Sequence, residues 1–161
     1  MGFAMAPSNP LIHVIYASVG TQEFTTEHLV GLLDKAREAN GRLGLTGMLL
    51  YSESDRSFFQ VLEGQPEDID MLYNKLLVDT RHTRVTLIIR EPIPKRTFGE
   101  WTMGFTSVTW PQLKRIPGLN DFFSERSCMV DLDPGRAKKL LAAFADGRWR
   151  AQSTGQRWMR E

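Results

Sequence analysis

Gln60 stands in Ser57-Phe58-Phe59-Gln60-Val61-Leu62-Glu63-Gly64, with Phe58 and Leu62 two residues to either side. In an extended chain these three share one face, so the amide is expected to be buried, and a buried amide without partners costs about 1–3 kcal/mol. Either a neighbouring protein group or a ligand must answer it. A glutamine satisfied by protein groups, or placed at a sheet edge, is the plain structural reading. Tyr16 lies on the apolar Ile12/Val14/Tyr16 face of the stretch Leu11–Ser18, and its phenol also needs a partner when buried. Gln60 meets that need if the two strands are neighbours. A second amide, Asn40, precedes Gly41, and both residues suit the left-handed end of a helix, so a helix stop is one role open to it. Lys75 and Asp79 lie four apart, the spacing of an exposed ion pair on one helical face, and Asp79, Arg81 and His82 cluster just after that helix. His13 has no second His or Cys at metal spacing and reads as a packed or partly exposed histidine.

Composition narrows the classes. The 161 residues suit one domain plus an extension, with 42% apolar and 24% charged residues as in soluble globular proteins. Lys plus Arg number 20 against 19 Asp plus Glu, so no basic field argues for nucleic acid. No apolar run approaches the roughly 18 residues of a membrane span, and residues 1–10 lack the pattern of a signal peptide. The lone Cys128 excludes an internal disulfide and reads as a small buried hydrophobe. A cytoplasmic protein with neither nucleic-acid nor membrane partners is expected. No glycine-rich phosphate loop opens a helix, which argues against nicotinamide redox chemistry.

The elements that must position these residues follow from periodicity and punctuation. Leu11–Ser18 is apolar on both faces, as in a central strand covered on both sides. Thr25 or Thr26 starts a helix with Leu29, Leu32, Leu33 and Ala36 on one face, ending near Ala39. Leu45–Tyr51 and Ser57–Gly64 form a hairpin through Glu53-Ser54-Asp55-Arg56. Pro66 opens a second helix, with Glu67 and Asp68 at its positive end and Ile69, Leu72, Tyr73, Leu76 and Leu77 as its buried stripe. Val85–Ile89 is the fourth strand. The order β-α-β-β-α-β is the ferredoxin-like split pattern, an α+β fold with two helices on one face of an antiparallel sheet. Arg96–Phe105 leads into an added fifth strand carrying Trp101 and Met103. Pro111–Asn120 is a connection, and Phe122–Val130 is ambiguous by pattern, with a short helix one option. Asp133-Pro134 starts a helix with Leu140, Leu141 and Phe144 on one side and Gly147 past its end. That apolar side is expected to cover the open face of the sheet. Residues 1–10 read as a flexible arm, 11–108 as the main domain, and 109–161 as a helical extension whose last stretch, Arg148–Glu161, reads as a polar tail, with a partner-binding helix as the alternative.

Five ordered blocks resemble a known family. Ile15-Tyr16-Ala17-Ser18, Asn40 with Gly44–Tyr51, Phe58–Gly64, Asp79-Thr80-Arg81-His82 and Phe98–Phe105 are similar to the BLUF domain, the blue-light sensor using flavin, over about residues 11–108. Two features depart from it. The family often has a pair of asparagines where this chain has Ala39-Asn40, which removes one polar contact to the cofactor, and the Glu53–Arg56 hairpin is slightly longer than usual. The resemblance implies FAD, with FMN as the alternative, held between the two helices. Leu32 would pack on the ring, Asn40 would pair with its polar edge, and Lys75, Asp79, Arg81 and His82 would lie towards the ribityl chain and phosphate. It further implies a photoswitch of Tyr16 and Gln60, sensed through Trp101 and Met103. The chain would be a sensor and not an enzyme. With about 50 residues after residue 108, the output is expected to pass through the C-terminal helix to a signalling protein in trans, or through homo-oligomers.

Two other classes bear on the same residues. An acylphosphatase-type hydrolase on this fold needs an anion-binding loop with an arginine, and Val19-Gly20-Thr21-Gln22 carries none. A light-independent protein-interaction module would leave Tyr16, Asn40 and Gln60 as unrelated core polar groups.

Overall fold

The computed structural model describes residues 10–99, 101–124 and 128–145. Most of the arm expected over residues 1–10, the Gly147 stop and the tail expected over Arg148–Glu161 lie outside the described residues.

The chain runs β1 (Ile12–Gly20), α1 (Thr26–Leu43), β2 (Thr46–Ser52), β3 (Ser57–Gly64), α2 (Pro66–Leu77), β4 (His82–Pro92), β5 (Gly104–Val108), α3 (Trp110–Lys114) and α4 (Pro134–Ala145). The sheet order is β4-β1-β3-β2-β5, the expected ferredoxin-like arrangement extended by one strand. β5 runs parallel to β2, so the sheet is mixed and not wholly antiparallel.

The central strand β1 is covered on both faces, as its apolar pattern requires. On one face Ile12, Val14 and Tyr16 join Leu49, Phe58 and Leu62 beneath Leu29 and Leu33 of α1 and Ile69 of α2. On the other, Ile15 and Ala17 join Met48, Leu50, Phe59 and Val61 beneath Ala137, Leu140, Ala143 and Phe144 of α4. The C-terminal helix thus covers the face the first two helices leave open. Its first turn is set by Asp133, whose Oδ2 accepts from the Arg136 amide at 3.2 Å. Gly47 of β2 pairs this closely with β3 only because it lacks a side chain, since a Cβ there would stand 1.9 Å from the Val61 carbonyl oxygen.

Several boundaries differ from the sequence reading. Thr25 caps α1, its side chain accepting from the His28 amide, but the helix continues past Ala39 to Leu43. Gly44, at φ 70°, takes the left-handed position that ends it, so Asn40 and Gly41 are helical residues and not the stop. β4 is longer than Val85–Ile89 and begins at His82. The fifth strand begins at Gly104, after both Trp101 and Met103, which belong instead to the strap joining β4 to β5. The connection after β5 contains the short helix α3, and Phe122–Val130 gives 3-10 turns at Phe122–Ser124 and Met129–Asp131, with residues 125–127 outside the description.

Candidate functional site

A cavity of about 230 Å³ opens between α1 and α2 over the pocket face of the sheet. Its floor is built by strand register. Tyr16 of β1 stands directly opposite Gln60 of β3, which stands opposite Leu49 of β2, and the two-residue strand period turns all three towards the helices. Tyr16 is 1% exposed and Gln60 9%. The Tyr16 hydroxyl donates to Gln60 Oε1. The other end of that amide points the opposite way, with Nε2 donating to the Met103 sulfur at 3.7 Å. Burial, and secondarily Tyr73, hold the Tyr16 phenol well above its ordinary pKa, so it is a neutral donor. The Tyr73 ring meets the Tyr16 ring edge-on at 5.4 Å.

The walls come from the helices. Leu32, Ala36, Ala39 and Asn40 of α1 face Leu72, Lys75 and Leu76 of α2 across the cavity. Asn40 is fully buried. Its Nδ2 donates to the Thr102 carbonyl at 2.6 Å, and its Oδ1 is buried with no hydrogen-bond partner. An unanswered buried carbonyl oxygen calls for an N–H donor from whatever occupies the cavity. Apolar walls for a flat ring, one orphaned acceptor for a ring N–H and a two-ended amide on the floor suit the faces and polar edge of a flavin ring, so these residues fit that cofactor.

Charge gathers at the mouth, where Lys35, Lys75, Asp79, Arg81 and His82 line the opening. Asp79 pairs with Arg81 and not with Lys75, which corrects the ion pair suggested by the four-residue spacing. Arg81 Nε reaches Asp79 Oδ1 at 3.0 Å and Nη2 reaches Oδ2 at 2.5 Å. That hydrogen-bonded guanidinium lowers the Asp79 pKa to about 2. His82 is tied to protein on both sides, with Nδ1 2.8 Å from Ser18 Oγ and Nε2 3.0 Å from the Leu76 carbonyl. Because a carbonyl only accepts, Nε2 carries a proton. His82 therefore fastens the end of α2 to β1 while lining the cavity.

The structure brings Tyr16, Leu32, Asn40, Gln60, Lys75, Asp79, Arg81 and His82 together around one cavity and sets Met103 against Gln60. It does not bring Trp101 there. That ring lies on the opposite face of the sheet, stacked on Phe98 at 5.6 Å and edge-on to Phe144 of α4 at 6.2 Å. The strap changes sides between Trp101 and Met103, so only Met103 reaches Gln60. Sequence reasoning missed Ser18 and Lys35. Both carry a signal in hindsight, since Ser18 is two residues from Tyr16 on the same strand face and Lys35 is three from Leu32 on one helical face.

Comparison with known proteins agrees with this geometry. The family model described as BLUF, sensors of blue-light using FAD, matches residues 11–104. The photoactivated adenylate cyclase subunit alpha of Euglena gracilis is 37% identical over 95 residues, which are 58% of this chain and 9% of that protein. Subunit beta from the same organism is 35% identical over 112 residues, 66% of this chain and 13% of that protein. The chain therefore spans only a small part of the length of these curated relatives. Among solved structures, the ground state of BlsA superposes with a TM-score of 0.73 at 25% identity, covering 84% of this chain and 87% of that one. The dark-state structure of BlrB, a BLUF protein, gives 0.70 at 27% identity, covering 86% and 98%. Klebsiella pneumoniae BlrP1 with FMN and cyclic diGMP gives 0.60 at 28% identity, covering 86% and 36%.

Proposed function

Because this chain belongs to the BLUF family of blue-light sensors using flavin, we propose that it is a photoreceptor in which the Tyr16–Gln60–Met103 contact is rearranged by light. The observation that carries the reading is the opposed use of the Gln60 amide, with Oε1 taken by the Tyr16 hydroxyl and Nε2 facing the Met103 sulfur. When bound, the flavin supplies light absorption and an electron acceptor.

The chain's own residues do the rest. Leu32, Ala36 and Leu72 line the cavity and would pack on the ring and exclude water from it. Asn40 holds the strap through Nδ2 and offers Oδ1 to a ring N–H. Lys75 and Lys35 line the cavity and would meet a phosphate, while Arg81 and Asp79 neutralise each other and the remaining carboxylate lone pairs would accept from hydroxyls. We take FAD as the cofactor. FMN shares the ring and one phosphate and is the alternative.

Tyr16 would donate an electron and the proton it holds on the hydrogen bond to Gln60 Oε1, with the bound flavin as acceptor, and both return to Tyr16 on recombination, so that no net redox change remains. Rotation of the amide exchanges its two ends, and tautomerisation exchanges which end donates and which accepts. After rotation Nε2 faces Tyr16, whose hydroxyl then accepts, and the Nε2–H to Met103 sulfur contact is lost. The change is small in atomic displacement and large in donor and acceptor pattern. Residues 11–108 are the sensing unit in this reading. The strap passes the change to Trp101 and Phe144, and α4 in the C-terminal extension passes it to a signalling protein in trans or to a second copy, as a bias on a two-state element.

The test is direct: purified protein is expected to be yellow, with a flavin absorption that moves reversibly to longer wavelength under blue light. Protein that neither carries flavin nor takes it up on reconstitution would return the chain to a light-independent interaction module, which leaves the orphaned Asn40 Oδ1 without an explanation.

A further inference from the structure

We infer that Glu63, together with Arg96 and Thr46, is a positioning residue for the photoswitch: it staples the strap that places Met103 against Gln60, and so sets how fast the amide returns to its dark arrangement. The inference rests on the photoreceptor reading for its kinetic part, though the placement of Met103 is testable without it.

Glu63 lies three residues beyond Gln60 on β3, on the opposite face of the sheet, and is fully buried. A carboxylate taken out of water must be met by donors. Here its oxygens accept from Thr46 Oγ1 at 2.8 Å, from the Thr97 amide at 2.6 Å and from the Phe98 amide at 3.0 Å. Arg96 closes the staple from the other side. Its Nη1 donates to Thr46 Oγ1 at 2.9 Å and to the Glu63 carbonyl at 3.1 Å, and its Nη2 donates to the Gly44 carbonyl at 2.9 Å. Residues 96–98 are thereby fixed to the end of α1, the start of β2 and the end of β3 at once. This is far more hydrogen bonding than an exposed turn needs.

What the staple fixes is the origin of the strap. Beyond it, the Gly47 amide donates to the Trp101 carbonyl at 3.0 Å, and Arg37 Nε donates to the Met103 carbonyl at 3.0 Å. Phe98 and Trp101 pack on Phe144 on the α4 face, and the chain then crosses the sheet edge to deliver Met103 to the pocket face. The Gln60 to Met103 contact is an N–H to thioether bond, in which sulfur is a weak acceptor. A weak acceptor holds Nε2 only while it is correctly placed, so a displaced strap changes the competition between sulfur and any other acceptor for that N–H. The carboxylate on one face thus governs a sulfur on the other through the backbone between them.

The experiment compares Thr46→Val, Arg96→Lys, Glu63→Gln and Glu63→Asp in the wild-type and Met103→Leu backgrounds. Dark recovery after a blue flash and the dark-state 13C-methyl resonance of Met103 are both read. Expected are recovery rates altered by about two- to tenfold in the wild-type background, a shifted Met103 resonance, partial rescue in Glu63→Asp, and no further change of rate when Met103 is already Leu, as coupled sites require. Equal factors in both backgrounds, or an unmoved methyl resonance accompanied only by a lower Tm, would overturn the inference and leave Glu63 a purely structural acid. Should Glu63→Gln not fold, the Thr46 and Arg96 variants decide alone. Absence of any light response in wild type would sink the photoreceptor reading, while the methyl resonance would still decide whether the staple places Met103.

Discussion

Replacing Asn40 by alanine separates the two jobs its side chain performs. A residue whose only role were to end a helix would tolerate alanine poorly at the stop, yet Asn40 lies inside α1, which continues to Leu43. Helix propensity there favours alanine, by up to about 0.7 kcal/mol. Against this, Asn40→Ala removes the 2.6 Å bond from Nδ2 and strands the Thr102 carbonyl, which costs about 1–3 kcal/mol if the carbonyl stays dry. The net expectation is a loss of about 0.3–3 kcal/mol, or from about one to roughly ten degrees in Tm for a domain of this size. Loss of the orphaned Oδ1 acts on the cofactor instead. A ring N–H buried without its acceptor costs about 1–3 kcal/mol, weakening flavin binding about five- to 150-fold. Urea unfolding of the flavin-free protein and fluorescence titration with FAD read the two effects apart. A variant as stable as wild type that also binds flavin unchanged would refute the reasoning, because the Thr102 bond and the orphaned acceptor would then both be idle.

The other expectations concern the switch and the cavity mouth. Tyr16→Phe and Gln60→Leu conserve most of the buried volume and are expected to fold and load flavin; both lose the light-induced red shift, the Tyr16→Phe flavin fluoresces longer, and Trp101→Phe keeps the shift. A red shift surviving in Gln60→Leu at equal flavin occupancy would make the amide structural. At the mouth, Arg81 holds Asp79 below its ordinary value of 3.8, at about 2. A depressed acid stabilises the fold above its unfolded pKa and loses that contribution as pH falls through the folded value, so the Asp79–Arg81 term fades between about pH 4 and pH 2. With the Arg81 side chain about half exposed, the pair is worth only about 0.2–1 kcal/mol. Acid titration of stability in wild type and Arg81→Ala checks it, and identical slopes in that window would show the pair contributes nothing.

Much of this protein is legible in the sequence because strands and helices are written in short periods. The alternation in Ser57–Gly64 puts Gln60 between Phe58 and Leu62, and the alternation in β1 puts Tyr16 on an apolar face. With the β-α-β-β-α-β order these make neighbours of the two strands, so the Tyr16 to Gln60 pairing followed from local pattern and topology. The apolar stripe of α4 likewise announced that a second sheet face needed covering.

What the sequence left open is decided by contacts between residues far apart in it. Trp101 and Met103 look equivalent from their spacing, and only the path of the strap over the sheet edge sends one to Phe144 and the other to Gln60. Asn40 reads as a helix stop until Thr102, 62 residues away, takes its Nδ2 and leaves Oδ1 unanswered. Lys75 and Asp79 obey the rule for a helical ion pair, but Asp79 lies past the end of α2, where Arg81 reaches it first. Backbone periodicity fixes which face a side chain takes; which partner it meets depends on where distant segments cross, and that is set by packing of the whole chain.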